Sequence, residues 1–250
     1  MTTANDIFEN LCALAPLELQ MSFDNSGFLF GRKNAGVTKA LLALDVTPAV
    51  VEEAIGLGAE LIISHHPLIF SPLKSVTEEK LLRLAQHQIG VISMHTNLDI
   101  AQGGVNDVLM AALGAKVLGE LDEDGCGRVG LLAEAIAMEA FLPFCKSVLK
   151  TAGLRYYDSG RPVRKLAVMG GSGGDSLKRA HGLGCDTYLT ADIKYHTFLE
   201  AQELGMNLID GDHFCTENLV IPVLAQRLAN AFPQTEFIIS RRHQQVVHFA

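Results

Sequence analysis

Short apolar runs alternate with amphipathic stretches along this chain, and they do so twice in the same order. The apolar strands "KALLALDVT" and "RKLAVMGGS" align in register, and each leads through turn residues into a helix. Thr47 and Pro48 supply an N-cap and a first-turn proline in the first copy, where Asp175 or Ser176 can cap in the second. The segments "AIGLGAELIISHH" and "AHGLGCDTYLTAD" then superpose their Gly-Leu-Gly cores without a gap. Downstream, "KLLRLAQHQIGVISMHTNLD" parallels "TFLEAQELGMNLIDGDHFCTE", with Gly90 and Gly205 as matching turn glycines. Each copy therefore predicts strand, helix, strand, helix, strand, and then a histidine and a carboxylate four residues apart opening a further helix.

Alternating strands and helices predict an α/β fold of two pseudo-duplicated domains with largely parallel sheets, and ligands at the carboxyl ends of the strands. The acidic, glycine-containing turn near Asp122 to Gly127 places the domain boundary, giving a first domain over 1–124 and a second over 125–250. A helix is expected near Met138 to Thr151. The tail over 235–250 has strand character and is able to cross back to the first domain.

At 250 residues with 48% hydrophobic content the chain can bury two ordinary cores, and no apolar run approaches the roughly 20 residues of a membrane span. The opening "MTTANDIFEN" does not resemble a secretory signal, so a cytoplasmic protein is expected. Five scattered cysteines without a Cys-x-x-Cys pair argue against both a disulfide framework and a zinc knuckle. A formal net charge of -8 provides no basic stripe, which disfavours nucleic acid as a partner.

The chemistry sits at the predicted strand ends. His65 and His66 are adjacent in "LIISHHPLIF", His95 precedes Asp99 in "HTNLD", and His213 precedes Glu217 in "HFCTE". A histidine and a carboxylate at i and i+4 on a helix share a face and can reach one ion, although a single such pair is more often an ordinary surface pair. Neighbours on a strand point to opposite faces, so His65 and His66 converge only where Pro67 stops the strand. In the second copy Ala191 and Asp192 replace the two histidines, so the frame is duplicated and the chemistry is not.

Together "FDNSGFLFG", "LIISHHPLIF", "HTNLDIAQGGVND", "ADIKYHTFLEA" and "GDHFCTE" resemble the motifs of the NIF-three-like family, whose bacterial members are often labelled type 2 GTP cyclohydrolase I homologues. The resemblance runs nearly end to end. It implies a toroidal homohexamer with a dinuclear metal centre at the interdomain cleft, and it places the ligands on His65, His66, Asp99, His213 and Glu217. Two divalent ions (zinc, iron, manganese or nickel) suit that donor set, with His95 behind it, orienting Asp99. The chain departs from the family in having Phe23 where tryptophan is usual, and in its ending "SRRHQQVVHFA".

A dinuclear hydrolase is the function this implies, including ring opening of a purine nucleotide. The alternative is a non-catalytic metal-binding ring that stores, delivers or senses ions or scaffolds a partner. Candidates for proton transfer are His95, Asp45, Asp192 and His196, and Lys194 is a candidate phosphate contact. For Asp45 helix capping competes with that role, and for "ADIKYH" solvated helix-start charges do. "GGSGGDS" (Gly170 to Ser176) reads as a tight turn rather than as a phosphate cradle, and "GGVND" (Gly103 to Asp107) as backbone geometry.

Overall fold

The computed structural model describes residues 1–249. By internal contacts the chain divides into two compact units, one of Met1–Gln102 with Val220–Gln244, the other of Gly103–Leu219 with the chain from Gln245 onward. Among the described residues, no helix is long and apolar enough to cross a membrane.

The first unit contains, in chain order, α1 (Ala4–Leu14), β1 (Gly27–Phe30), β2 (Lys39–Ala43), α2 (Pro48–Leu57), β3 (Leu61–Ser64), α3 (Glu79–Gln86), β4 (Gly90–Ser93) and α4 (Thr96–Ile100). The second runs α5 (Val105–Ala112), β5 (Lys116–Glu120), β6 (Arg128–Ile136), α6 (Met138–Leu149), β7 (Arg155–Tyr157), β8 (Val163–Ser172), α7 (Leu177–Gly182), β9 (Thr187–Ala191), α8 (Tyr195–Leu204), β10 (Asn207–Asp210) and α9 (His213–Glu217). The chain then returns to the first unit as α10 (Val220–Ala231) and β11 (Glu236–Ile239).

The expected repeat is present element for element. Strands β2, β3 and β4 pair in parallel in one sheet, and β8, β9 and β10 do so in the other. The first sheet has the order β1-β4-β3-β2-β11, in which only β1 is antiparallel to its neighbour. The tail strand β11 lies parallel to β2, with Phe237 opposite Ala40. The second sheet, β5-β6-β8-β9-β10-β7, adds antiparallel β5, β6 and β7 around the parallel core. By contacts the chain leaves the first unit after Gln102, earlier than the acidic turn near Asp122. That turn is the loop of the β5–β6 hairpin, so both of its arms belong to the second unit.

Strand alternation explains the cores. In the second sheet Leu166, Val168, Leu189 and Ile209 face one apolar cluster with Phe141 and Leu149 of α6. Their neighbours Ala167, Tyr188 and Leu208 face another with Leu177 and Ala201. In the first unit Leu41, Ile62 and Val91 pack on Val50 and Val51 of α2 and on Leu81 and Leu84 of α3. Each fully buried aliphatic side chain of this kind contributes about 1.5–3 kcal/mol.

The helix ends show how the frame was kept while residues changed. Thr47 caps α2 by accepting from Val50 N at 3.2 Å, so Asp45 has no capping role there. In the second copy Ser176 precedes α7 without a side-chain cap, and its hydroxyl donates to Asp122 at 2.6 Å. Gly58 and Gly184 of the two Gly-Leu-Gly cores both adopt left-handed φ (66° and 74°). Gly205 does the same at the end of α8, but at the matching turn after α3 the left-handed position falls on Gln88 (φ 55°), and Gly90 begins β4.

The left-handed conformation costs a non-glycine residue about 1 kcal/mol. Gln88→Gly is therefore expected to raise unfolding stability by about 0.5–1 kcal/mol, and Gly58→Ala, whose added Cβ would meet nothing within 4 Å, to lower it by about 1 kcal/mol. Urea denaturation measures both, and no change in either variant would contradict the backbone argument.

Candidate metal centre

In the first unit the parallel ladder runs right up to the histidine pair. His66 N donates to Leu44 O at 2.9 Å on the β2 side, and Met94 N donates to Ser64 O at 2.9 Å on the β4 side. The two imidazoles nevertheless come together at the strand end, their ring centroids 5.0 Å apart. His95 joins them, 5.2 Å from the ring of His65 and 5.5 Å from that of His66. Ligand nitrogens of all three lie within 4.8 Å of one another. Asp99, one turn along α4, brings Oδ1 to 3.6 Å from His65 Nε2.

Each ring is held at its other nitrogen. His65 Nδ1 lies 2.8 Å from the carbonyl of Met94, His66 Nδ1 2.7 Å from Asp45 Oδ1, and His95 Nδ1 2.8 Å from Asp24 Oδ1. A carbonyl or carboxylate oxygen can only accept, so each Nδ1 carries the proton and Nε2 carries the lone pair. Asp24 is the residue the sequence reading missed, although it stands in "FDNSGFLFG". Its carboxylate also accepts from Thr96 N at 3.0 Å, Thr96 Oγ1 at 2.5 Å and Ser26 Oγ at 2.9 Å. Burial opposes its ionisation, yet the hydrogen bonds from His95 and Thr96 outweigh burial and hold the carboxyl well below the usual carboxylate range. Asp45 is similarly lowered: burial is the larger opposing effect, and hydrogen bonds from His243 and His66 overcome it. His243, likewise unforeseen, places Nε2 3.0 Å from Asp45 Oδ2.

The second unit builds its cluster differently. His213 opens α9 with Nε2 3.2 Å from Glu217 Oε2, and its Nδ1 lies 2.7 Å from Asp192 Oδ2. The hydrogen bond to the buried Glu217 is the main reason its pKa is raised, to about 9, with Asp192 adding to it. Asp192 and Asp212, at the carboxyl ends of β9 and β10, both have left-handed φ (54° and 73°), a backbone strain that collects at functional sites. Asp212 uses its side chain to cap α9 through Cys215 N at 3.1 Å. Cys215 itself is buried in the apolar cluster, its thiol pushed up to about 11 by burial, which makes it a packing residue within "HFCTE".

Glycine makes the room for this pair. At Gly171 (φ 66°) an added Cβ would fall 2.2 Å from Glu217 Oε1 and 3.2 Å from His213 Nε2. The run "GGSGGDS" thus begins as the end of β8, and Gly170 and Gly171 donate their N–H groups to Asn106 Oδ1 (2.9 Å) and Thr216 Oγ1 (3.1 Å). "GGVND" serves structure in the same way, because Asp107 pairs at 2.7 Å with the buried Arg128. Lys194 and His196 stand exposed at the start of α8, and among the described residues neither side chain has a hydrogen-bond or ion-pair partner.

The donors are imidazole nitrogens and carboxylate oxygens, with ring orientation fixed from behind, the arrangement typical of metal-ligating histidines. The histidine cluster of the first unit therefore fits a divalent ion, and His213 with Glu217 in the second unit supplies two further donors of the same kind. A family model described as Duf34/NIF3 (NGG1p interacting factor 3) matches residues 2–245. The chain belongs to the DUF34/NIF3 family. A Clostridium perfringens member named GTP cyclohydrolase 1 type 2 homolog is 34% identical, with 98% of each chain covered. A Helicobacter pylori member named GTP cyclohydrolase 1 type 2 is 33% identical, covering 91% of this chain and 92% of that one. Among solved structures, a Staphylococcus aureus hypothetical protein matches with a TM-score of 0.91 at 28% identity over 99% of both chains. Reduced HcgD from Methanocaldococcus jannaschii matches at 0.84 and 29%, over 95% of this chain and 97% of its own.

Gly171→Ala is expected to cost more than about 2 kcal/mol of stability, since the new methyl both strains the backbone and strikes Glu217. Chemical denaturation of the metal-free protein reads this, and a loss no larger than that of Gly58→Ala would show that Glu217 is not confined there.

Proposed function

We propose that the protein is a divalent-metal-dependent hydrolase with His65, His66 and Asp99 of the first unit and His213 and Glu217 of the second as ligands of two ions. The observation that carries this reading is the anchoring of Nδ1 in His65 and His66, which selects in each the tautomer able to bind a cation through Nε2; in His213 the Asp192 anchor aims Nε2 at Glu217, where a cation would take the place of the Nε2 proton. Divalent ions in such a set supply Lewis acidity and a nucleophile drawn from water at neutral pH. Asp45 and Asp192, each 2.7 Å from a ligand imidazole, orient His66 and His213. His95, fixed by Asp24 beside the rings of His65 and His66, is placed to accept or return a proton. Exposed Lys194 and His196 are left for substrate contacts, with Lys194 suited to a phosphate.

The relatives' names point to a purine nucleotide as substrate and to hydrolytic opening of its ring. The decisive comparison is GTP turnover by metal-loaded protein and by a Glu217→Ala variant. Removal of a ligand carboxylate is expected to lower turnover by at least about 100-fold. Equal rates, or no turnover in either protein, would remove the cyclohydrolase reading, and retained metal binding would then favour the non-catalytic ring protein.

From the family resemblance we further propose a cytoplasmic homohexamer. Light scattering is expected to return six times the 27.0 kDa chain mass, and a monomer mass at micromolar concentration would refute the ring.

A further inference from the structure

The segment after β11 turns back onto the first histidine pair. Ser240 N donates to Leu42 O at 2.8 Å, extending the β11–β2 ladder by one bond. The chain then wraps around Glu53 of α2, whose carboxylate accepts from Ser240 Oγ, from Arg241 N at 3.0 Å and from Arg242 N at 3.2 Å. Ser240 Oγ in turn accepts from Arg242 N at 3.2 Å and His243 N at 3.1 Å. This turn delivers the His243 side chain, only 8% exposed, to Asp45.

Asp45 thus lies between two imidazoles, Oδ1 on His66 Nδ1 at 2.7 Å and Oδ2 on His243 Nε2 at 3.0 Å. Its side chain is 40% exposed, so with one partner alone the carboxylate could rotate about χ2 and share that oxygen with water. A donor on the second oxygen fixes the carboxylate plane, and the fixed plane sets the direction in which the His66 ring points. We infer that His243 is a positioning residue for His66, acting through Asp45 from the turn that follows β11. The inference rests on the reading of His66 as a metal ligand. Groups that orient ligands in this way are typically worth 10–100-fold in metal affinity.

The test uses the full chain and Co²⁺, with affinity measured by chelator competition and coordination by visible absorption. His243→Ala and His243→Phe are expected to weaken Co²⁺ binding about 10-fold and to alter the absorption band, with the metal-free melting temperature close to wild type. His243→Gln, whose amide N–H can still reach Asp45, should recover most of the affinity. In a His66→Ala background, His243→Ala should add nothing further. Wild-type affinity in both His243→Ala and His243→Phe, or an undiminished loss in the His66→Ala background, would overturn the inference and leave the metal reading standing. Failure of the wild-type protein to bind Co²⁺ would overturn both.

Discussion

An imidazole offers a lone pair in a fixed direction only when its other nitrogen is committed as a donor. In this protein that condition is met at four histidines by four different residues. A backbone carbonyl holds His65, and the carboxylates of Asp45, Asp24 and Asp192 hold His66, His95 and His213. Three of these anchors lie in the turns just beyond strand ends, so the parallel sheets do more than bury apolar surface. They set the level at which acceptor and ring meet, and a displaced strand would release both.

The anchors also account for what could and could not be seen along the chain. Apolar periodicity and the Gly-Leu-Gly cores made the duplicated frame legible, because helix ends and strand faces are decided by near neighbours. The residues that became candidate ligands were legible for the same reason, standing where strands stop. Asp24 was not, since it reaches His95 across 71 positions and reads locally as a turn residue in "FDNSG". His243 was hidden further still: its segment is placed by β11 pairing with β2, and by Glu53 binding a turn 187 positions away. The β5–β6 addition to the second sheet escaped because a hairpin between two α/β repeats carries no signal of which sheet it will join.

The two copies illustrate how a repeat can diverge without losing its backbone. Where one has His65 and His66, the other has Ala191 and Asp192, and that aspartate serves as the anchor for His213. The Glu217 carboxylate required space, and glycine at 171 provides it. At the equivalent turns one copy uses a glycine and the other tolerates Gln88 in the same left-handed conformation. Small side-chain exchanges on a fixed ladder have therefore changed which atoms point outward, with the strand order unaltered.

The return of the chain through α10 and β11 also bears on synthesis. The first unit cannot complete its sheet until residue 239 has emerged from the ribosome, after every strand of the second unit. Until then β2 presents an open edge able to pair with other nascent chains. The amino-terminal half is thus the last to mature, and the cell must shelter an unfinished edge for most of the time the polypeptide takes to be made.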